Sequence, residues 1–283
     1  MSENTEGSIG TEVSAEHTIL PIGTVLRVDE EGYLVSESGS DKITAPWDAP
    51  VEDIRKVYSE HLGDKLQSLY IRGSVSRGNA IEGVSDIDGL AVVYGDPKEI
   101  DWSWTTEFAK ATTEKYPFLT DVDIMMQTYE GVISGDKKVA SFLIKTMSVC
   151  VEGEDLAPVL PKVKPGRGSV VACWDIERKV SPEYLAENSN VTTAQRMRWS
   201  SKQILRAGFE LVMEDEQAYT RDLYPCYEMF SKRYPDMEPV MHRALEMALW
   251  PTNDDEVYRQ LLTDIGPWLV ERVNEKYPKQ LTT

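Results

Sequence analysis

The sequence predicts an α+β protein, in which a small mixed sheet with packed helices is followed by an all-α region. Three observations carry that reading. Short β-prone runs at residues 69–71, 87–94 and 121–126 are interleaved with helical stretches in the first half. A Pro- and Gly-rich crossing, Ala157-Pro-Val-Leu-Pro-Lys-Val-Lys-Pro-Gly-Arg-Gly168, then marks a change of character. Beyond it the pattern is helical, with Met197, Ser200, Ile204, Ala207 and Leu211 on one face of a helix over 192–214.

Taken in order, residues 1–19 are polar and acidic and read as a mobile tail. Thr24-Val-Leu-Arg-Val28, Asp29-Glu-Glu-Gly32 and Tyr33-Leu-Val-Ser36 read as a short β-hairpin with a glycine-containing turn. A helix over 48–66 carries Pro50 near its first turn, where the missing amide costs nothing. A helix over 102–116 stops before Pro117, and another over 137–147 leads into a strand at 148–151. Strand, glycine loop, strand, helix, strand describes a small mixed sheet covered by helices. Further helices are expected over 221–233, 238–249 and 254–277, with Gly266-Pro267 interrupting the last. The expected units are a tail over 1–19, a sheet domain over 20–160 and a helical domain over 161–283.

At 283 residues and 41% hydrophobic content the chain can bury ordinary cores, and its length suits two domains. No apolar run approaches the roughly 20 residues that span a bilayer, and the N-terminus lacks a basic start and apolar stretch. Cys150, Cys173 and Cys226 are scattered and odd in number, which argues for free thiols and a cytoplasmic setting. Trp102, Trp104, Trp174, Trp199 and Trp250 are expected in cores. The net charge of −18 opposes the basic face that a long nucleic acid requires. Residues 1–60 hold 13 acidic and 4 basic side chains, a solvated acidic surface that would also attract small cations.

The chemistry concentrates in Arg72-Gly-Ser-Val-Ser-Arg-Gly-Asn-Ala-Ile-Glu-Gly-Val-Ser-Asp-Ile-Asp88. Asp86 and Asp88 stand at i and i+2 where a strand begins, so alternation sends both to one face. Two carboxylates so close repel unless a cation bridges them, and oxygen-only donors suit magnesium. Upstream, Gly73 and Ser74 follow a strand, so the chain can turn tightly and offer amides and a hydroxyl to phosphate oxygens. Ser85 stands beside the carboxylates as a second hydroxyl for phosphate. Thr120-Asp-Val-Asp-Ile-Met-Met126 supplies Asp121 and Asp123, again on one face. Either completes a three-carboxylate set that holds magnesium and deprotonates an attacking hydroxyl. Asp123 is favoured because the apolar run starts directly after it. Lys202 and Arg206, at i and i+4, read equally as a basic stripe toward a cleft or as a solvated face.

Gly73-Ser74, Gly78, Ser85-Asp-Ile-Asp88 and Val122-Asp-Ile124 together resemble the DNA-polymerase-β-type nucleotidyltransferase superfamily. Within it the layout, a catalytic domain first and a helical domain second, is similar to the streptomycin/spectinomycin type of aminoglycoside adenylyltransferase. The resemblance implies magnesium-dependent transfer of AMP from ATP onto a hydroxyl, with pyrophosphate leaving. It also implies a cation from the helical region on the triphosphate, a role that falls to Arg221 where the family usually has lysine. A small-molecule acceptor is the leading expectation. A protein, a tRNA end or another nucleotide is the alternative acceptor, and a non-catalytic nucleotide-binding regulator is the alternative to catalysis.

Overall fold

The computed structural model describes residues 18–181 and 191–278. All but the last two residues of the expected tail lie outside the described residues.

Four strands form one mixed sheet in the order β3-β2-β1-β4. Strand β1 (Leu66–Arg72) runs antiparallel to both β2 (Ile87–Val93) and β4 (Ser148–Gly153), while β2 is parallel to β3 (Val122–Thr128). Sequence patterning finds only the apolar centre of β1. The strand begins earlier because buried Gln67 and Ser68 satisfy each other's polar groups, with Gln67 also donating to the Glu154 carbonyl.

Alternation divides the sheet cleanly into two faces. Leu69, Ile71, Ile87, Ala91, Val93, Val122 and Ile124 pack against helix α1 (Asp48–Leu62), which buries Val51, Ile54, Tyr58 and Leu62. Helix α1 is shorter than the expected 48–66 because Gly63 ends it and a 3-10 turn takes over to Lys65. A single helical turn, α2 (Gly73–Arg77), follows β1, and α3 (Trp104–Lys115) joins the parallel pair β2 and β3 as their crossover. On the other face Tyr70, Leu90 and Val92 meet α4 (Tyr129–Ser134) and one side of α5 (Lys138–Met147).

The opposite side of α5 belongs to a larger core. Phe142, Leu143 and Met147 pack there with the helices that follow the Pro- and Gly-rich crossing. Those are α6 (Ile176–Lys179), α7 (Thr193–Glu210), α8 (Met213–Glu216), α9 (Leu223–Arg233), α10 (Glu238–Leu249) and α11 (Asp255–Lys276). Helix α7 opens on a capping box, in which the Thr192 hydroxyl accepts from the Gln195 amide and the Gln195 side chain accepts from the Thr192 amide. Its face of Met197, Ser200, Ile204, Ala207 and Leu211 is buried, as the spacing predicts. Gly208 allows close approach, since a Cβ there would come within 2.6 Å of Met241 and 3.0 Å of Phe230.

The expectation for Gly266-Pro267 is corrected. Pro267 does not interrupt α11. It lies on the exposed side, as does Thr263, whose carbonyl loses its helical partner to water, while Ile265, Gly266 and Leu269 stay buried and hold the helix in place. The expected hairpin forms in minimal shape: Val28 bridges Leu34 antiparallel, the Asp29 amide donates to Tyr33 O and the Val35 amide to Arg27 O, and the turn holding Gly32 is braced by the Asp29 side chain accepting from the Glu31 and Tyr33 amides. Its Leu26 pairs instead with Tyr219 of the helical region, a partner no local pattern discloses.

Trp102 and Trp104 pack edge-on against Tyr58, but Trp174 and Trp199 are 47% and 36% exposed and are not core residues. The three cysteines are free, with Cys173 and Cys226 buried. Among the described residues no helix is long and apolar enough to cross a membrane.

Candidate active site

Gly73 turns the chain out of β1 with φ +77°, a left-handed conformation that favours glycine. A Cβ on it would lie 3.4 Å from Asp88 Oδ2, so the same residue also leaves room for that carboxylate. Ser74 follows, half-exposed, and its hydroxyl has no hydrogen-bond partner among the described residues. Ser85 sits differently. Its hydroxyl accepts from the Ile81 amide at 2.9 Å and its own amide donates to Ile81 O, which pins the loop that returns to β2.

Three charged side chains then lie in a row across the sheet. Arg72 of β1 is opposite Asp88 of β2, which is opposite Asp123 of β3. All three share the face that carries Tyr70 and Leu90, the face turned toward the helical region. Arg72 donates to Asp88 Oδ1 at 2.7 Å. Burial raises the Asp88 carboxyl above the usual range, Arg72 works against the rise, and the charges of Asp86 and Asp123 add to it. Asp121 shares the exposed side with Asp123, but its carboxylate accepts from the amide of its neighbour Val122 at 2.8 Å. The strand register therefore brings Asp123, rather than Asp121, alongside Asp88.

The opposing wall is cationic. Half-buried Lys202 on α7 lies in the field of Asp86 and Asp88, and burial together with Arg206 depresses its pKa. Arg206, one turn later, is held down to about 10 by burial and by Arg221. Its Nε donates to the Arg221 carbonyl at 3.0 Å. Arg221 acts electrostatically on Asp88, and its Nη1 is enclosed without a hydrogen-bond partner among the described residues. Sequence spacing left Lys202 and Arg206 undecided between cleft and solvent; both face inward.

Arg77, in the glycine-serine turn, faces neither phosphate nor solvent. It is only 9% exposed and pairs with Asp222, the residue after Arg221. Asp222 also accepts from the Thr24 amide and hydroxyl at 2.8 and 3.0 Å. Turn α2, the N-terminal extended segment and the start of α9 thus meet at one carboxylate. No local sequence signal marks Asp222, because its partners are 145 and 198 residues away.

The carboxylates fit magnesium by donor chemistry, being hard oxygen ligands whose mutual repulsion a divalent cation relieves. Among the described residues, no three His, Cys, Asp or Glu side chains converge on one metal-binding point, and Arg72 already engages Asp88. A metal would therefore draw Asp86, Asp88 and Asp123 together.

No family model matches the sequence, nor does any curated protein at a significant level. Comparison of structures is more informative. The chain is similar to a spectinomycin adenyltransferase from Enterococcus faecialis, solved with ATP and spectinomycin, at a TM-score of 0.50 and 12% identity. The match covers 80% of this chain and 99% of that one. The chain shares the fold of that protein. At 80% of this chain the likeness is too long to be confined to the sheet region.

Proposed function

We propose that the chain is a magnesium-dependent nucleotidyltransferase that moves AMP from ATP onto a hydroxyl of a small molecule, releasing pyrophosphate. The observation that carries this reading is the placement of Asp123 beside Asp88 in register, with Asp86 at hand, across from Lys202, Arg206 and the Nη1 of Arg221. Carboxylates aligned on neighbouring strands and facing half-buried cations suit a reaction that moves a highly charged triphosphate and must hold its leaving group.

Asp86, Asp88 and Asp123 would hold magnesium, which supplies charge neutralisation on the phosphates. Asp123 accepts the proton of the acceptor hydroxyl as its oxygen bonds to the α-phosphorus and the bond to pyrophosphate breaks. Arg221 and Lys202 compensate the charge of the departing pyrophosphate, and Arg206 keeps Arg221 in place through its carbonyl. The Ser74 hydroxyl donates to a phosphate oxygen, and Gly73 lets the backbone approach. Ser85 keeps its hydroxyl hydrogen for phosphate while holding the loop. A cytoplasmic setting, where ATP and magnesium are supplied, goes with this reading.

The test is incubation with ATP labelled at the α-phosphate and a panel of hydroxyl-bearing acceptors, beginning with spectinomycin, which the structural neighbour was solved with. The label should move to a small molecule in the wild type and not in Asp86→Ala/Asp88→Ala. Label appearing only on protein, tRNA or a nucleotide would change the acceptor class. No transfer to any acceptor, with ATP affinity equal in both proteins, would overturn the assignment.

A further inference from the structure

A cleft of about 940 Å³ opens between α5 and the crossing segment, lined by Lys138, Lys162, Lys164 and Arg167 against one carboxylate, Glu214. In a chain with 48 acidic and 30 basic side chains this local balance is inverted. Lys162 is compensated, lying 3.6 Å from Asp29 and 3.3 Å from Glu31. Lys164 is not: its ammonium stands 4.7 Å from the centre of the Tyr33 ring, which Lys162 also approaches at 5.0 Å. Lys162 keeps its carboxylates, so an anion entering the cleft meets Lys164, which has no ion-pair partner among the described residues. Lys138 has no ion-pair partner among the described residues. Trp174 contributes a wall of the same cleft while 47% exposed, leaving an aromatic surface free for a planar ring.

The cleft is distinct from the carboxylate site. None of Asp86, Asp88, Asp123, Lys202, Arg206 or Arg221 lines it. Ser148, directly after α5, pairs with Arg72 at the carboxylate end of the sheet, whereas Lys138 begins the helix. Ten residues of helix separate the two, about 15 Å along the axis. The size of the cleft is that of a small-molecule site.

We propose that this cleft binds a nucleotide-sized organic phosphate, its phosphates on Lys138 and Lys164 and its ring on Trp174. The inference does not rest on the proposed reaction, and its test is set up to be independent of it. In full-length Asp88→Asn/Arg221→Met protein, with chelator present, calorimetric titration with ADP and separately with inorganic pyrophosphate isolates the cleft from the carboxylate site. ADP should bind, more tightly than pyrophosphate. Adding Lys138→Gln/Lys164→Gln should weaken ADP at least tenfold, and Trp174→Ala should weaken ADP but not pyrophosphate. Lys138, Lys164 and Trp174 have exposed side chains, so these variants should melt like their parent; Lys138→Gln alone gives a second reading of the same effect. No ADP binding tighter than about 1 mM, or binding indifferent to the lysine substitutions, would overturn the proposal. So would pyrophosphate binding as tightly as ADP with Trp174→Ala without effect.

Discussion

Arg77, in the helical turn after β1, donates from Nη2 to both carboxylate oxygens of Asp222 at 3.2 and 3.4 Å, across 145 residues of chain. The contact ties the glycine-serine turn to the residue that follows Arg221. It thus fixes the spacing between the sheet side and the helical side of the candidate site.

Arg77→Leu should therefore destabilise the protein by about 2–3 kcal/mol, because Asp222 keeps its bonds from Thr24 but loses its charge partner. Urea unfolding measures this directly. Arg77→Lys should recover part of the loss, since it restores the charge without the fork. Wild-type stability in Arg77→Leu would mean that the pair holds nothing together.

Asp88→Asn separates stability from activity. The folded Asp88 carboxyl lies above its ordinary value of 3.8, chiefly through burial. Protonated Asp88 therefore favours the fold below that value, and this contribution is lost as pH rises through the folded pKa. At pH 7 the ionised group is a net cost, so Asp88→Asn, which can still accept from Arg72, should melt higher than wild type. The gain should shrink as pH falls toward 3.8. Transfer activity should drop by about a thousandfold or more, as for loss of a group that stabilises transition-state charge. Melting curves across pH read the first effect, and a gain that grows toward low pH would contradict it.

Arg221→Met keeps the aliphatic stem and deletes a guanidinium whose Nη1 has no partner among the described residues. Burial disfavours the cation, but Tyr219 and Glu210 hold the Arg221 pKa above its ordinary value, so its removal should cost only modest stability. Nucleotide affinity should fall by about tenfold or more if the group meets the triphosphate. Calorimetric titration with ATP beside thermal melting distinguishes the two roles: a large loss of stability with unchanged affinity would make Arg221 a structural residue.

Glu210→Gln probes the frame behind the cationic wall. The 1%-exposed Glu210 carboxylate accepts three consecutive amides, Val171 and Ala172 on Oε1 and Cys173 on Oε2, at 2.7–2.9 Å. An amide side chain sets an NH2 against at least one of these N–H donors, so the loss should be about 1–3 kcal/mol. Urea unfolding again provides the measurement, and a neutral result would show that the 171–173 turn relaxes to other acceptors.

The sequence alone was sufficient wherever the structure is governed by neighbours along the chain. The helix opening at Thr192, its buried stripe from Met197 to Leu211 and the Asp86/Asp88 spacing all rest on residues within a few turns of one another. The same locality explains why Asp88 and Gly73 were legible together: a short loop connects their strands, and the glycine faces the carboxylate it precedes. Gly266-Pro267 misled because propensity counts a missing amide without knowing which side of α11 meets water.

What the tertiary structure decided is which groups face one another across long stretches of chain. Parallel pairing of β2 with β3, bridged by α3, sets Asp123 rather than Asp121 beside Asp88, a register no composition fixes. The turn of Lys202 and Arg206 inward depends on how α7 packs among the neighbouring helices, since residues at i and i+4 form a stripe whichever way a helix faces. Leu26 beside Tyr219 and Arg77 beside Asp222 are likewise products of packing. The Asp86/Asp88 pair and its glycine-serine turn were thus written in the sequence as a chemical potential. Only the fold gave that potential a direction, by setting half-buried Asp88 in the field of Arg221 and Lys202 in the fields of Asp86 and Asp88, because the strength of a charge–charge interaction is set by distance and burial rather than by order along the chain.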